Sequence, residues 1–327
     1  MSHTRALVTI DETRAGRRRG PGQKPRSTNP TQSSKLITYG SWWWTLPALV
    51  GVFAIHYVAT ILGGVYAFTD FEGLGDFNWV GIANFQRILI DPQVMSSIGN
   101  TFFIGISYLV LTNLAGLGLA LALNRTLKSR YILRTLLFLP VVLSSLAVSY
   151  IFRFIFDEAG PLNQVLHAFG VTGGTTVWLA DPKTAIGTII TVLVWQQTGV
   201  PMVIYLAGLA VVPPELDEAA AIDGAGTFSR FRNITLPLLQ PAIAISTTLA
   251  LIQGLRVFDQ VIAMTNGGPF GATETLSTVI YKKTFTFSSF GYGASISLVF
   301  TIVIIAAALI QMFFTRDRSN RKRSTDV

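Results

Sequence analysis

The sequence contains no cysteine and few charged side chains. The absence of cysteine from all 327 residues excludes a disulfide framework and thiolate metal sites. Only 13% of the residues are charged and 50% are hydrophobic, whereas a soluble domain has about a quarter charged. The three histidines (His3, His56 and His167) share no ligand spacing, so no metal site is predicted. This composition predicts a membrane protein.

Motifs for nucleotide binding and covalent catalysis are also missing. No G-x-x-x-x-G-K-[ST] segment occurs, so the chain has no phosphate-binding loop of its own. We find no Ser/His/Asp set and no paired carboxylates in a plausible pocket. The chain is therefore predicted not to be an enzyme and to hold no cofactor. The net charge of +8 comes mainly from the two ends and one loop, which favours membrane orientation over nucleic-acid binding.

Six apolar runs are long enough to cross a bilayer. A hydrocarbon core about 30 Å thick requires about 20 apolar residues, and helices satisfy the backbone groups inside it. The predicted spans are about 45–68, 98–123, 132–156, 185–210, 239–264 and 292–315. Trp42, Trp43 and Trp44 open the first span as an interfacial belt. These runs predict an all-α, polytopic membrane protein.

The distribution of Lys and Arg predicts the orientation. Residues 1–41 are basic and rich in Pro, Gly and Ser, which predicts a disordered region; a basic tail (316–327) follows the six-helix domain (42–315). Nineteen of the 25 Lys and Arg lie in the N-terminal region, the loop after the second span, the segment 215–241 and the C-terminal tail. The positive-inside rule makes all of these cytoplasmic. A multi-pass protein of the cell membrane with both termini in the cytoplasm is predicted.

The polar segment ELDEAAAIDGAGTFSRFRNITLPLLQP (215–241) lies between two apolar runs. Pro213 and Pro214 favour a helix start, and acids follow in its first turns. Gly224 breaks this helix, a second begins with Thr227 as N-cap, and Pro237 ends it. Two short amphipathic helices, within a loop of about 211–238, are therefore predicted. Exposed carboxylates beside small alanines favour docking to a basic protein surface over resting on lipid headgroups.

This segment resembles the EAA loop of ABC importer permeases. The matching residues are Glu218, Ala219, Ala220, Asp223, Gly224, Ala225, Phe231, Ile234, Pro237 and Pro241. Further segments resemble the maltose, glycerol-phosphate and trehalose-type importers, including WVGIANFQRIL (79–89) and FDQVIAMTNGGPFGATETL (258–276). The resemblance implies a six-helix, type I ABC importer permease (MetI-like) fold. It also implies ATPase-coupling roles for Glu218, Ala219, Ala220, Asp223, Gly224, Phe231 and Pro237.

The resemblance implies partners as well. These are a second permease subunit in a heterodimer, an ABC ATPase dimer that binds ATP and Mg, an extracellular solute-binding lipoprotein, a sugar substrate and membrane lipids. Alternatives remain: the same machinery importing glycerol-3-phosphate or an oligosaccharide, an ATP-independent channel or carrier, and a scaffold that recruits a cytoplasmic partner. No nucleic acid is expected.

Polar groups at membrane depth are the candidates for a substrate path, because each is costly there unless it faces protein or water. They are Asn113, Gln196, Gln197, Gln253, Arg256 and Asp259. The alternative reading is that the amides bond neighbouring helices and that Arg256 pairs with Asp259. Lys282 and Lys283, which run against the charge bias, are expected to be solvated or to contact a binding protein.

Overall fold

The computed structural model describes residues 44–124, 128–171 and 177–320, with side chains to residue 315. The chain divides into two units, residues 1–52 and 53–327. The described part of the first unit contains helix α1 (Leu46–Val52). The predictions for residues 1–41, for Trp42 and Trp43, and for the side chains of the 316–327 tail lie outside the described residues.

Helices make up the regular structure of the second unit. Its first half contains α2 (Ala59–Tyr66), α3 (Ala83–Ile90), α4 (Pro92–Leu123), α5 (Arg130–Val142), α6 (Ser145–Ile155), α7 (Pro161–Ala168), α8 (Pro182–Gln197) and α9 (Gly199–Leu209). Its second half contains α10 (Pro214–Ile222), α11 (Thr227–Arg230), α12 (Leu236–Leu238), α13 (Gln240–Leu255), α14 (Asp259–Met264), α15 (Leu276–Tyr281) and α16 (Phe290–Asn320). Three further segments are π-helical, Phe53–Val58, Phe231–Thr235 and Lys282–Thr286. Among the described residues no strand occurs, and the all-α prediction is confirmed.

The helices agree with six membrane spans by length and composition. Three continuous helices are long and apolar enough, Leu46–Tyr66, Pro92–Leu123 and Phe290–Thr315. Three bent pairs supply the others: Arg130–Val142 with Ser145–Ile155 (95°), Pro182–Gln197 with Gly199–Leu209 (43°) and Thr227–Leu238 with Gln240–Leu255 (71°). The number six holds if each bent pair is one span.

The third predicted span, 132–156, is not one continuous helix. It breaks at Leu143, whose backbone is extended, and the halves are bent by 95°. Pro140 lies inside α5 three residues earlier, and a proline within a helix removes one backbone hydrogen bond and crowds the preceding turn. The apolar run alone does not reveal this bend.

The fifth predicted span, 239–264, is also wrong as a continuous helix. Helix α13 ends at Leu255, and Arg256–Phe258 separate it from α14. A buried carbonyl at the break has a partner outside the helix, because the Thr275 hydroxyl donates to Val257 O at 3.1 Å. A contact from 18 residues later in the chain therefore supports the break.

Helix α4 packs closely against α13 in the second unit. A Cβ on Gly254 would lie 2.9 Å from the carbonyl oxygen of Gly105 and 2.8 Å from the Tyr108 ring, so only glycine permits this approach. Ile104 and Tyr108 are buried beside it. The packing fixes α13, which joins the polar segment 215–241 at one end to Gln253 and Arg256 at the other.

Candidate functional site

The polar segment forms a helix pair as predicted from its sequence. Pro213 is the N-cap of α10, Pro214 is its first residue, and Glu215 and Asp217 occupy its first turn. Carboxylates there interact favourably with the positive end of the helix dipole. The local chemistry of the sequence thus explains where α10 begins.

Gly224 makes the turn between the two helices. Its φ is +80°, the left-handed region in which glycine has no steric penalty. The turn closes with hydrogen bonds from Gly224 N to Ala221 O (3.1 Å) and from Ala225 N to Ala220 O (2.9 Å). The predicted break at Gly224 is confirmed.

The second helix differs from the prediction at both ends. Gly226, not Thr227, is its N-cap. Pro237 does not end it, since Leu239 N still donates to Thr235 O at 2.9 Å and helical structure continues through Leu238. The π-helical segment Phe231–Thr235 ends two residues before this proline, and the 71° bend follows at Leu239.

The helix pair is braced internally and exposes an apolar and acidic surface. Arg230 and Asp217 form an ion pair at 2.8 Å. Phe231 and Pro237 are half-buried, as is Ala220. Among the exposed residues of the pair are Glu218, Ala219, Ile222, Asp223, Gly224 and Phe228. We call this exposed set the coupling surface; its large apolar side chains, Ile222 and Phe228, are 87% and 73% exposed.

A cavity of about 310 Å³ lies at the other end of α13. It brings together four of the predicted path residues, Gln197, Gln253, Arg256 and Asp259. Sequence reasoning missed Tyr108, Ser145 and Gln260 in its lining. Tyr108 and Ser145 come from α4 and α6, so only the fold brings them to this cavity.

Arg256 and Asp259 are exposed and line this cavity. Neither belongs to the three ion pairs found among the described residues, so the alternative reading that they pair with each other is wrong. Phe258 also lines the cavity, 5.3 Å from the Tyr281 ring between centroids. The cavity thus offers guanidinium and amide donors, a carboxylate acceptor and an aromatic ring, groups suited to a polar, hydroxyl-rich molecule.

Asn113 and Gln196 lie outside this cavity and connect helices. The Asn113 side-chain oxygen accepts hydrogen bonds from Tyr205 and Ser246, both at 2.7 Å. Gln196 is fully buried; it donates to Leu143 O at 3.1 Å and accepts from Gln260 at 3.2 Å. Both amides match the reading of interhelical bonds.

A bundle of apolar helices with a polar cavity at one end of α13 and an exposed helix pair at the other defines a membrane transport subunit. Residues 112–320 match the model of the family described as binding-protein-dependent transport system inner membrane component. The chain belongs to this family.

Curated relatives cover most of the chain. It is 30% identical to the probable starch degradation products transport system permease protein AmyD of Thermoanaerobacterium thermosulfurigenes, over 88% of this chain and 98% of that protein. It is 34% identical to the multiple sugar-binding transport system permease protein MsmF of Streptococcus mutans (85% and 95%). It is 32% identical to the trehalose/maltose transport system permease protein MalF of Thermococcus litoralis (73% and 81%).

A solved structure shares the fold. A chain of a bacterial ABC transporter involved in the import of alginate matches with a TM-score of 0.75 and 23% identity, over 84% of this chain and 94% of that chain. The type I importer permease fold expected from the sequence is confirmed.

Proposed function

We propose that this chain is the permease subunit of an ATP-driven importer for a sugar or related polyol. The observation that carries the proposal is that α13 joins the coupling surface to the polar cavity. A movement imposed on one end of a packed helix reaches the other end. The names of the relatives, which refer to starch products, multiple sugars, trehalose and maltose, support this cargo class.

The proposed assembly contains more than this chain. A second permease subunit completes the path as a heterodimer, and an ABC ATPase dimer binds ATP and Mg on the cytoplasmic side, where both termini also lie. This chain holds no cofactor and performs no covalent chemistry. An extracellular solute-binding lipoprotein delivers the sugar. The bacterial alginate transporter, whose structure has been solved in complex with a pentasaccharide-bound periplasmic protein, supports such a partner.

The coupling surface has the chemistry to dock the ATPase. Glu218 is exposed and forms no ion pair within the described residues, which leaves its carboxylate for a basic residue of the partner. Ile222 and Phe228 supply exposed apolar area, and Phe231 seats the second helix. ATP-driven closure of the ATPase dimer moves the coupling surface, and the two permease subunits then alternate between outward-open and inward-open forms.

Uptake of labelled trehalose, maltose and glycerol-3-phosphate tests the proposal in cells with the chain intact, deleted or carrying Glu218→Ala. We expect the uptake of one sugar to be lost both when the chain is deleted and in Glu218→Ala, with the variant protein still present in the membrane. Truncating one partner of a desolvated charge pair costs about 2–5 kcal/mol of docking. The matched control is Glu215→Ala, an exposed acid of the same helix, which should retain uptake.

The outcomes separate the parts of the proposal. Retained uptake and ATPase coupling in Glu218→Ala would contradict the docking role while leaving the transport role intact. Uptake that persists without any ATPase partner would instead favour an ATP-independent carrier. Loss of glycerol-3-phosphate uptake alone would change the cargo from a sugar to a phosphorylated polyol.

A further inference from the structure

The loop between α14 and α15, residues 265–275, exposes a large apolar side chain to the surroundings. Phe270 is fully exposed and has a φ of +51°. A bulky residue in this left-handed region is uncommon and persists only where the surrounding structure imposes it. Gly267 and Gly271, with φ of +83° and +76°, flank it. We call residues 265–275 the finger loop.

A buried carboxylate holds the finger loop from inside. Glu274 is buried and pairs with Lys282 at 2.7 Å. Gln93 of α4 donates to the second Glu274 oxygen at 3.0 Å. Asn100, also of α4, donates to the carbonyl oxygens of Glu274 and Gly271 at 3.0 and 3.3 Å. These bonds tie the loop to the long helix α4.

Two further contacts fix the backbone of the finger loop, one within the loop and one from Lys282 of the π-helical segment Lys282–Thr286. The Thr273 hydroxyl donates to Gly268 O at 2.7 Å, and Lys282 Nζ donates to Asn266 O at 2.9 Å. The backbone on both sides of Phe270 is therefore fixed while its ring has no buried environment. A loop ordered in advance spends little conformational entropy when it binds a partner.

A recess adjoins the base of the finger loop. This recess, of about 370 Å³, is lined by Gly268 and Pro269 of the loop and by residues of both charges around an indole ring. The residues that supply the charges and the ring are Arg153, Asp157, Glu158 and Trp178. An apolar projection beside a polar recess with both signs of charge resembles a protein interface, in which an aromatic anchor is surrounded by a polar rim.

We infer that the finger loop is a docking element for the extracellular solute-binding protein and that Phe270 enters an apolar pocket on that protein. The inference rests on the proposed function, which places this end of α13 outside the cell. Helix α13 has 16 residues and is therefore about 24 Å long, and it lies between the polar segment 215–241 and the elements that lead to the finger loop. The recess carries both signs of charge, with Arg153 beside Asp157 and Glu158, which fits the mixed polar rim of a protein interface better than a lipid surface of a single charge sign.

The test uses the full complex, with its second permease and ATPase subunits, in lipid bilayers. ATP hydrolysis is measured against the concentration of sugar-loaded binding protein. Phe270→Asn removes the ring while asparagine tolerates the left-handed backbone, and Phe270→Trp keeps an aromatic anchor. The matched control is Leu74→Ala. Leu74 is nearly fully exposed in a loop at the same end, since Phe71 O in that loop accepts from Gly291 N of α16 at 2.8 Å.

We expect Phe270→Asn to raise the half-maximal binding-protein concentration about tenfold or more, as loss of an interface anchor does. Basal hydrolysis and the maximum rate should not change. Phe270→Trp and Leu74→Ala should stay near the wild-type value.

An unchanged half-maximal concentration in Phe270→Asn, or an equal rise in Leu74→Ala, would overturn the docking role alone. A change in basal hydrolysis that depends on lipid composition, with the half-maximal concentration unchanged, would indicate a bilayer contact and would also overturn it. A wild-type complex that no sugar-binding protein stimulates would contradict the proposed function itself.

Discussion

Asp91 connects three elements through one carboxylate. As the N-cap of α4 it accepts hydrogen bonds from Gln93 N at 3.0 Å and Val94 N at 3.4 Å. It also pairs with Lys283 at 2.9 Å and accepts from the Tyr292 hydroxyl at 3.0 Å. The Asp91 and Lys283 side chains are only 11% and 15% exposed, so the expectation that Lys283 is freely solvated is wrong.

The environment of Asp91 predicts a pH-dependent contribution to stability. Burial raises the pKa of Asp91, but the bonds from Lys283 and Tyr292 outweigh it, and the pKa falls below its ordinary value of 3.8. A lowered folded-state pKa stabilises the protein above pH 3.8, and this contribution disappears as the pH falls through the folded-state pKa. Asp91→Asn, which can still cap the helix, should cost about 1–3 kcal/mol at pH 7.

Thermal unfolding of the purified protein in detergent measures this effect between pH 7 and pH 3. The difference in Tm between wild type and Asp91→Asn should shrink as the pH falls below 3.8, the ordinary pKa of an aspartate. Asp76→Asn, at an exposed aspartate outside the ion pairs among the described residues, should show little difference at any pH. A difference in Tm between wild type and Asp91→Asn that stays constant down to pH 3 would contradict the stabilising role of the Asp91 charge.

Single residues also show which members of the candidate site can be predicted from the sequence. Arg256 and Asp259 are conspicuous because charge is rare in an apolar run, and both line the cavity. Asn113 carries the same signal, yet Tyr205 and Ser246 saturate its carbonyl oxygen. Polarity at membrane depth identifies a group that needs partners. Whether the partner is another helix or a ligand depends on neighbours that are distant in the chain.

At the level of elements, apolar runs and turn residues predict that a helix exists better than they predict whether it is continuous. Every predicted span has a helical counterpart, because about 20 apolar residues permit little else in lipid. The breaks at Leu143, close to Pro140, and at Arg256–Phe258 escape prediction, since the predicted apolar spans extend through both. The second of them has the Thr275 hydroxyl as a partner for its backbone. The local signals Pro214 and Gly224, in contrast, act within one turn and predict the structure correctly, whereas Thr227 and Pro237 misplace the ends of the second helix.

The turn at Gly224 gives a prediction at this level, with Gly226 as a matched control. A Cβ meets nothing within 4 Å at either glycine, but only Gly224 has a positive φ, +80°. Gly224→Ala should therefore strain the turn by about 1–2 kcal/mol, whereas Gly226→Ala should cost less, because it meets no left-handed strain and loses only the N-cap preference for glycine over alanine. Gly224→Asn should be tolerated better than Gly224→Ala, because asparagine adopts the left-handed region more readily.

The measurement for these glycine variants is sugar uptake together with membrane abundance. Reduced uptake in Gly224→Ala at normal abundance, with Gly226→Ala active, is the expected result. Equal losses in both alanine variants would show that added bulk at the partner surface, rather than backbone strain, is responsible.

For the whole molecule, Asn113 joins the packing of the bundle. Its side-chain oxygen accepts from Tyr205 of α9 and from Ser246 of α13, and its amide nitrogen donates to Leu109 O in α4 at 2.8 Å. Three helices thus meet at one amide. Gln253 lies farther along α13, exposed to the cavity, and accepts a hydrogen bond from Tyr108 at 3.1 Å.

These positions predict opposite consequences for two similar substitutions. Asn113→Ala removes the shared acceptor of two buried hydroxyls, at about 1–3 kcal/mol for each unsatisfied group, and should lower Tm and membrane abundance. Gln253→Ala removes a polar group from the cavity, where water can replace the bond to Tyr108. It should change stability by about 0.5 kcal/mol or less while raising the sugar concentration for half-maximal uptake.

Tm in detergent and uptake kinetics, measured on both variants, distinguish the bundle-joining amide from the cavity amide. A normal Tm with impaired uptake in Asn113→Ala would instead place Asn113 on the substrate path, and a lowered Tm with normal kinetics in Gln253→Ala would remove Gln253 from it.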